Sequence, residues 1–87
     1  MKTLLISGRN VGHMEAFVLV NCESGAQQKV VSELESISSV SDVKKVFGVY
    51  DLIAKVESST LQGVKKTLNK IRLQQGIRST ITMTVIK

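Results

Sequence analysis

Few side chains in this sequence are equipped for chemistry, and the most suggestive sit in the stretch VFGVYDLIAKVE, residues 46–57. The aliphatic residues on either side read as strands, and Gly48 can supply the turn between them. A turn has no need of an aromatic followed at once by a carboxylate, so Tyr50 and Asp51 call for another explanation. Asp42 gives the hairpin a second carboxylate, but on a separate strand, which is weak support for a paired acid–base site. The single cysteine, Cys22, has no histidine partner and reads as a packed strand-end thiol. One Cys and one His, His13, can form neither an intramolecular disulfide nor a zinc site. The six glycines are scattered and build no phosphate-cradling loop. The sequence therefore predicts no catalytic residues, no metal, no cofactor and no enzyme; its chemistry is expected to be binding.

Eighty-seven residues bound the chain to one small domain, for which oligomerisation is a reasonable extra source of stability. With 43% apolar and 22% charged residues the composition is globular. Phe17, Phe47 and Tyr50 are the only aromatics, so Val, Ile, Leu, Ala and Met must fill the core. No apolar run approaches the roughly 18 residues of a membrane span, and the opening MKTLLIS is too short for a signal peptide. One unpaired cysteine fits a reducing, cytoplasmic compartment. The net charge of +5 raises the question of nucleic acid. Lys65, Lys66, Lys70 and Arg72 nonetheless share one helical segment and read as its solvated face.

The glycine-rich SGRNVGHM, residues 7–14, contains GHM, a common cloning scar. Residues 1–13 are accordingly set apart as an extension that vector sequence or a misassigned start would explain, and the domain is expected over 14–87. Residues 15–22 read as a nearly continuously apolar strand. Residues 24–38 switch to helical spacing, with Ala26, Val30, Leu34 and Ile37 on one face and a capping box at Ser24 and Gln27. Residues 41–49 and 50–57 read as two strands meeting near Gly48 and Val49. A second helix follows, with Leu61, Val64, Leu68 and Ile71 on one face, a cap at Ser59 and Gln62, and Gly76 as its terminating glycine. In the last strand Ile77, Ile81, Met83 and Val85 lie largely on one side, and Arg78, Thr80, Thr82 and Thr84 on the other.

A shift of 34 positions lays Glu23 on Glu57, Ser24 on Ser58, Gln28 on Gln62, Val30 on Val64, Leu34 on Leu68 and Ile37 on Ile71. One register held through strand, helix and strand implies two βαβ halves. The fold expected is α+β and ferredoxin-like, βαββαβ, a four-stranded antiparallel sheet with both helices on one face. Tyr50, Leu52, Ala54 and Val56 then turn toward the helices. The first strand, apolar on both sides, implies that the open face meets another apolar surface, most simply a second copy. The strands lack the basic and aromatic signature of an RNA platform, so direct nucleic-acid binding is not expected.

VFGVYDLIAKVE resembles the G-x-Y-D hairpin of the Lrp/AsnC family's C-terminal domain, the regulator of amino-acid metabolism module, through Gly48, Tyr50 and Asp51. QQGIRSTITMTVI resembles that family's closing pattern of glycine, hydrophobic residue and T-x-T, through Gly76, Ile77, Thr80 and Thr82, with Gln75 where a proline is usual. The resemblance covers residues 15–87. Full-length members carry a helix-turn-helix that 13 or 14 preceding residues cannot hold, so the resemblance implies a stand-alone sensor domain. It further implies dimers packed through sheet faces, higher assembly, partnership with full-length Lrp/AsnC regulators, and a small amino-acid effector held between dimers. In that role Asp51 would accept from the ammonium. Thr80 and Thr82, or N–H groups near Gly48, would bind the carboxylate, Gly48 would admit the ligand to the backbone, and Tyr50 would line the pocket or pack in the core. The alternative is a structural oligomerisation module with no effector of its own. Which effector binds, and how many subunits assemble, is not written in the sequence.

Overall fold

The computed structural model describes residues 13–85. Six elements follow in the order β1 (Met14–Cys22), α1 (Gln27–Glu35), β2 (Val40–Lys45), β3 (Leu52–Ser58), α2 (Leu61–Arg72) and β4 (Ile77–Thr84). They form one sheet of order β2-β3-β1-β4 in which every neighbouring pair is antiparallel. This is the expected ferredoxin-like α+β arrangement, with the two βαβ halves interleaved so that β1 and β3 occupy the centre. Apart from His13, the N-terminal extension lies outside the described residues, as do Ile86 and Lys87.

Alternation along the central strands builds the core. Ala16, Val18, Val20 and Cys22 of β1 and Leu52, Ala54 and Val56 of β3 are buried on the helix side. Val30 and Leu34 of α1 and Val64, Leu68 and Ile71 of α2 close over them. Removing each such aliphatic side chain from water contributes about 1.5–3 kcal/mol. Ala26 and Ile37 pack at the edge of this core, whereas Leu61 is exposed. Thr67 takes a buried place unmarked by apolar spacing, because its hydroxyl donates to the Gly63 carbonyl at 3.0 Å. The other face of the sheet carries Phe17 and Leu19 paired with Met83 and Ile81 on one flank, and Leu19 paired with Ile53 on the other. Ile81 and Met83 are half exposed there, leaving an uncovered apolar strip.

Five local readings need correction. The strands of the hairpin stop at Lys45 and start again at Leu52, so Val46–Asp51 is a loop, with Phe47 and Val49 exposed. Apolar alternation resembled pairing there, but Gly48 at φ 143° turns the chain out of it. The N-cap of α1 is Ala26 with no side-chain cap, because Gly25 at φ 81° makes a separate turn after Ser24. The N-cap of α2 is Thr60, one residue past the expected Ser59, and its hydroxyl accepts from the Gly63 N–H at 2.9 Å. That helix ends at Arg72, and Gly76 at φ 93° serves the turn into β4, where its carbonyl accepts from Glu23 N–H at 2.7 Å. Finally, a register shift opposite Asn21 and Cys22 brings Ile77 across from Cys22, away from the side of Ile81 and Met83.

Candidate functional site

The loop ends where Asp51 is anchored three times. Its N–H donates to the Val20 carbonyl at 2.9 Å, its carbonyl accepts from Val46 N–H at 2.9 Å, and its Oδ2 accepts from Cys22 N–H at 2.7 Å. The last of these satisfies the final amide of β1 just where the chain leaves the sheet, a charge-assisted bond stronger than a neutral one. It also fixes the carboxylate in orientation while leaving Oδ1 for other contacts.

Beside this carboxylate the ends of β1, β3 and β4 and the start of α1 enclose a hollow of about 400 Å³, lined by Asn21, Cys22, Ser24, Gln27, Val49, Asp51, Arg78 and Ser79. Arg78 arrives there through the register shift. Asn21 pairs with Ser79 and Cys22 with Ile77, so Arg78 is the extra residue of a β-bulge. A bulge releases one side chain from the in-and-out alternation and re-aims it. Asn21 Nδ2 lies 3.4 Å from Ser79 Oγ across the same pair of strands. The uncapped start of α1 adds a weak positive field at the rim. One carboxylate, one guanidinium and several neutral donors and acceptors thus share a cleft large enough for a small metabolite.

The residues singled out in the sequence divide by position. Asp51 lines the hollow; Gly48 and Tyr50 belong to the loop that borders it, with Tyr50 partly buried. No atom lies within 4 Å of where a Gly48 side chain would begin, so the glycine is required by its backbone angle. Thr80 and Thr82 stand opposite Val20 and Val18, which places them on the helix side of β4, and the Thr82 hydroxyl is buried with no hydrogen-bond partner among the described residues. Asn21, Arg78 and Ser79 carried no site signal in the sequence, and Ser24 and Gln27 only that of a helix cap, because the five converge only through the bulge and the strand ends. Burial, and then the Asp51 charge, pushes the Cys22 thiol above its ordinary value, so it remains protonated at neutral pH.

A second charged group lies at the far end of the sheet. His13 Nε2 is 3.0 Å from Glu15 and 3.3 Å from Glu57, and the Lys55 ammonium is 3.7 and 3.6 Å from the same two carboxylates. His13, Glu15 and Glu57 bring three metal-ligating atoms together, but the Lys55 ammonium already offsets one of the two negative charges. The group forms the polar rim of the open sheet face. Among the described residues no helix is long and apolar enough to cross a membrane.

The chain is thus a ferredoxin-like α+β domain with a polar cleft at one end of its sheet and an uncovered apolar strip on the open face. The model of the Lrp/AsnC ligand binding domain matches residues 15–87, and the chain belongs to that family. Its structure is similar to FFRP-DM1, at 35% identity and a TM-score of 0.80 over 84% of this chain and 99% of that one. PHS023 of Pyrococcus horikoshii is similar at 35% identity and a TM-score of 0.80, over 85% and 90%. Escherichia coli AsnC shares the fold at 23% identity and a TM-score of 0.78, over 88% of this chain and 52% of that one. Homocitrate synthase of Saccharolobus solfataricus is 32% identical over 75 residues, or 85% of this chain. The chain spans only 16% of the length of the curated relatives it matches.

Proposed function

We propose that this chain is a regulatory sensor domain that binds a small amino-acid effector at the Asp51 cleft and changes its assembly in response. The observation that carries the reading is Asp51, its backbone held by two hydrogen bonds and its carboxylate by a third from Cys22 N–H, beside a cleft that also holds Arg78. A zwitterion needs both an acceptor and a cationic or N–H donor within a few ångströms, and few other ligands use both. In this reading Asp51 takes the ammonium, Gly48 and Tyr50 shape the loop, and Thr80 and Thr82 set the course of β4 behind the cleft. The exposed Phe47 and Val49 beside it suit closure by a neighbouring subunit.

Assembly follows from the strip of Phe17, Leu19, Ile53, Ile81 and Met83, which favours a face-to-face dimer. An effector bound between dimers shifts the association equilibrium by its differential affinity for the assembled state. The partners proposed are a second copy, higher assemblies and full-length Lrp/AsnC regulators, all in the cytoplasm. A matching segment in chains named homocitrate synthase supports a module whose output depends on what it is joined to.

The test is a thermal-shift screen against the common amino acids, repeated on Asp51→Asn. Stabilisation by one or a few, lost in the variant while folding and assembly persist, is the expected result. A folded protein that responds to no amino acid overturns the reading. That result would favour the second one, an oligomerisation module acting through its apolar face alone.

A further inference from the structure

Resting on the effector reading, we infer that the cleft selects an amino acid with a neutral, polar side chain and that Arg78 holds its α-carboxylate. The argument begins with a charge count. Among the residues lining the hollow there is one acid, Asp51, and one base, Arg78. The ammonium of an amino acid matches the first and its carboxylate the second, and the residues this chain brings to the cleft then have no charge left to offer. A lysine or arginine side chain would lack a second carboxylate, and an aspartate or glutamate side chain a second cation. Desolvating an unmatched charge is expensive, so both classes are disfavoured.

The remaining walls exclude the aliphatic amino acids. Asn21, Ser24, Gln27 and Ser79 present amide and hydroxyl groups, and against them stand only Val49, itself largely exposed, and the Cys22 thiol. A leucine or valine side chain would find little apolar surface there and would cover polar groups without bonding them. A carboxamide or hydroxyl side chain can both donate to and accept from that wall. Selectivity built on hydrogen bonds is also the sharper kind, because an analogue lacking the group leaves the site's own donors unpaired.

The backbone supplies the reason for assigning Arg78 the carboxylate. It is the unpaired residue of the β4 bulge, so its direction is set by the irregularity and not by strand alternation. Its guanidinium forms no ion pair among the described residues, in contrast to Lys44 and Lys55. A guanidinium can grip a carboxylate through two parallel bonds, which an ammonium cannot. The uncapped first turn of α1, whose Gln27 lines the same hollow, favours a negative group on that side.

Calorimetric titration of the assembled protein separates the claims. The panel is asparagine, glutamine, serine and threonine, then leucine, isoleucine, valine and phenylalanine, then lysine, arginine, aspartate and glutamate. The expected result is at least tenfold tighter binding of one neutral polar member than of any aliphatic or charged one. R78Q should weaken that member tenfold or more, R78K less, and neither should change the affinity of its α-amide, which lacks the carboxylate charge. Tightest binding of an aliphatic or charged amino acid, or R78Q binding like the parent protein, overturns the inference and leaves the sensor reading standing. No binding of any amino acid by folded protein removes the sensor reading itself. Melting curves of both variants confirm that folding is intact.

Discussion

The two βαβ halves open their helices at equivalent positions in the repeat, and there they differ. In the second half Thr60 caps α2 through Gly63 N–H, and Gly63 packs so closely on Ser58 that a side chain there would have to displace the Ser58 hydroxyl. In the first half the matching position is Ala26, no side chain caps α1, and the space in front opens into the cleft of Asp51 and Arg78. One corner is finished by its own side chains; the other leaves its polar groups to something else. A repeat supplies two copies of each corner, and stability needs only one of them closed. The proposed effector site lies at the corner that is left open.

The largest effect expected from breaking this symmetry lies in the core. Ile37 and Ile71 coincide in the repeat, but Ile71 is fully buried and Ile37 only partly so. Ile71→Ala should destabilise by about 2–5 kcal/mol, and Ile37→Ala by clearly less, in denaturant unfolding. Next comes the cap. Thr60→Ala should cost about 1 kcal/mol with effector affinity unchanged. Ala26→Thr should gain little, because Ala26 at φ −97° and ψ −3° is in a helical conformation, whereas Thr60 at φ −135° and ψ 156° is in the extended one that caps adopt. Equal and opposite effects from the two substitutions would mean that the corners are interchangeable.

The smallest effect concerns Glu57, which the repeat pairs with Glu23. The Ser41 hydroxyl, then the Lys55 ammonium and His13, hold the Glu57 carboxyl below the ordinary glutamate value of 4.5. A folded pKa below the unfolded one stabilises at pH values above about 4.5. That contribution fades as the pH falls through the lower, folded value. Melting temperatures measured across acid pH should therefore drop less steeply for Glu57→Gln than for the parent chain. Identical profiles would show that the rim network contributes nothing.

Much of this architecture was legible before the structure. The period changes from strand to helix are sharp, the 34-residue register holds, and the two-sided apolar pattern of β1 pointed to the bare face. Legibility failed where a single residue changes the phase. Val46, Phe47 and Val49 alternate like a strand, but Gly48 takes them into a loop. Alternation placed Arg78 with the threonines of β4, and one bulge sends it to the cleft. Asp51 stood out because a carboxylate directly after an aromatic serves no turn. Its neighbours in space, Asn21 and Ser79, are ordinary strand residues until the register brings them together.

Tyr50 has a last consequence, an optical one. The sequence contains one tyrosine and no tryptophan, so emission excited beyond the phenylalanine band comes from a single ring. That ring is partly buried and directly precedes Asp51 in the loop bordering the cleft. The protein carries its own fluorophore at the place where an effector or a neighbouring subunit would change the surroundings, and both events can be followed without attaching a label.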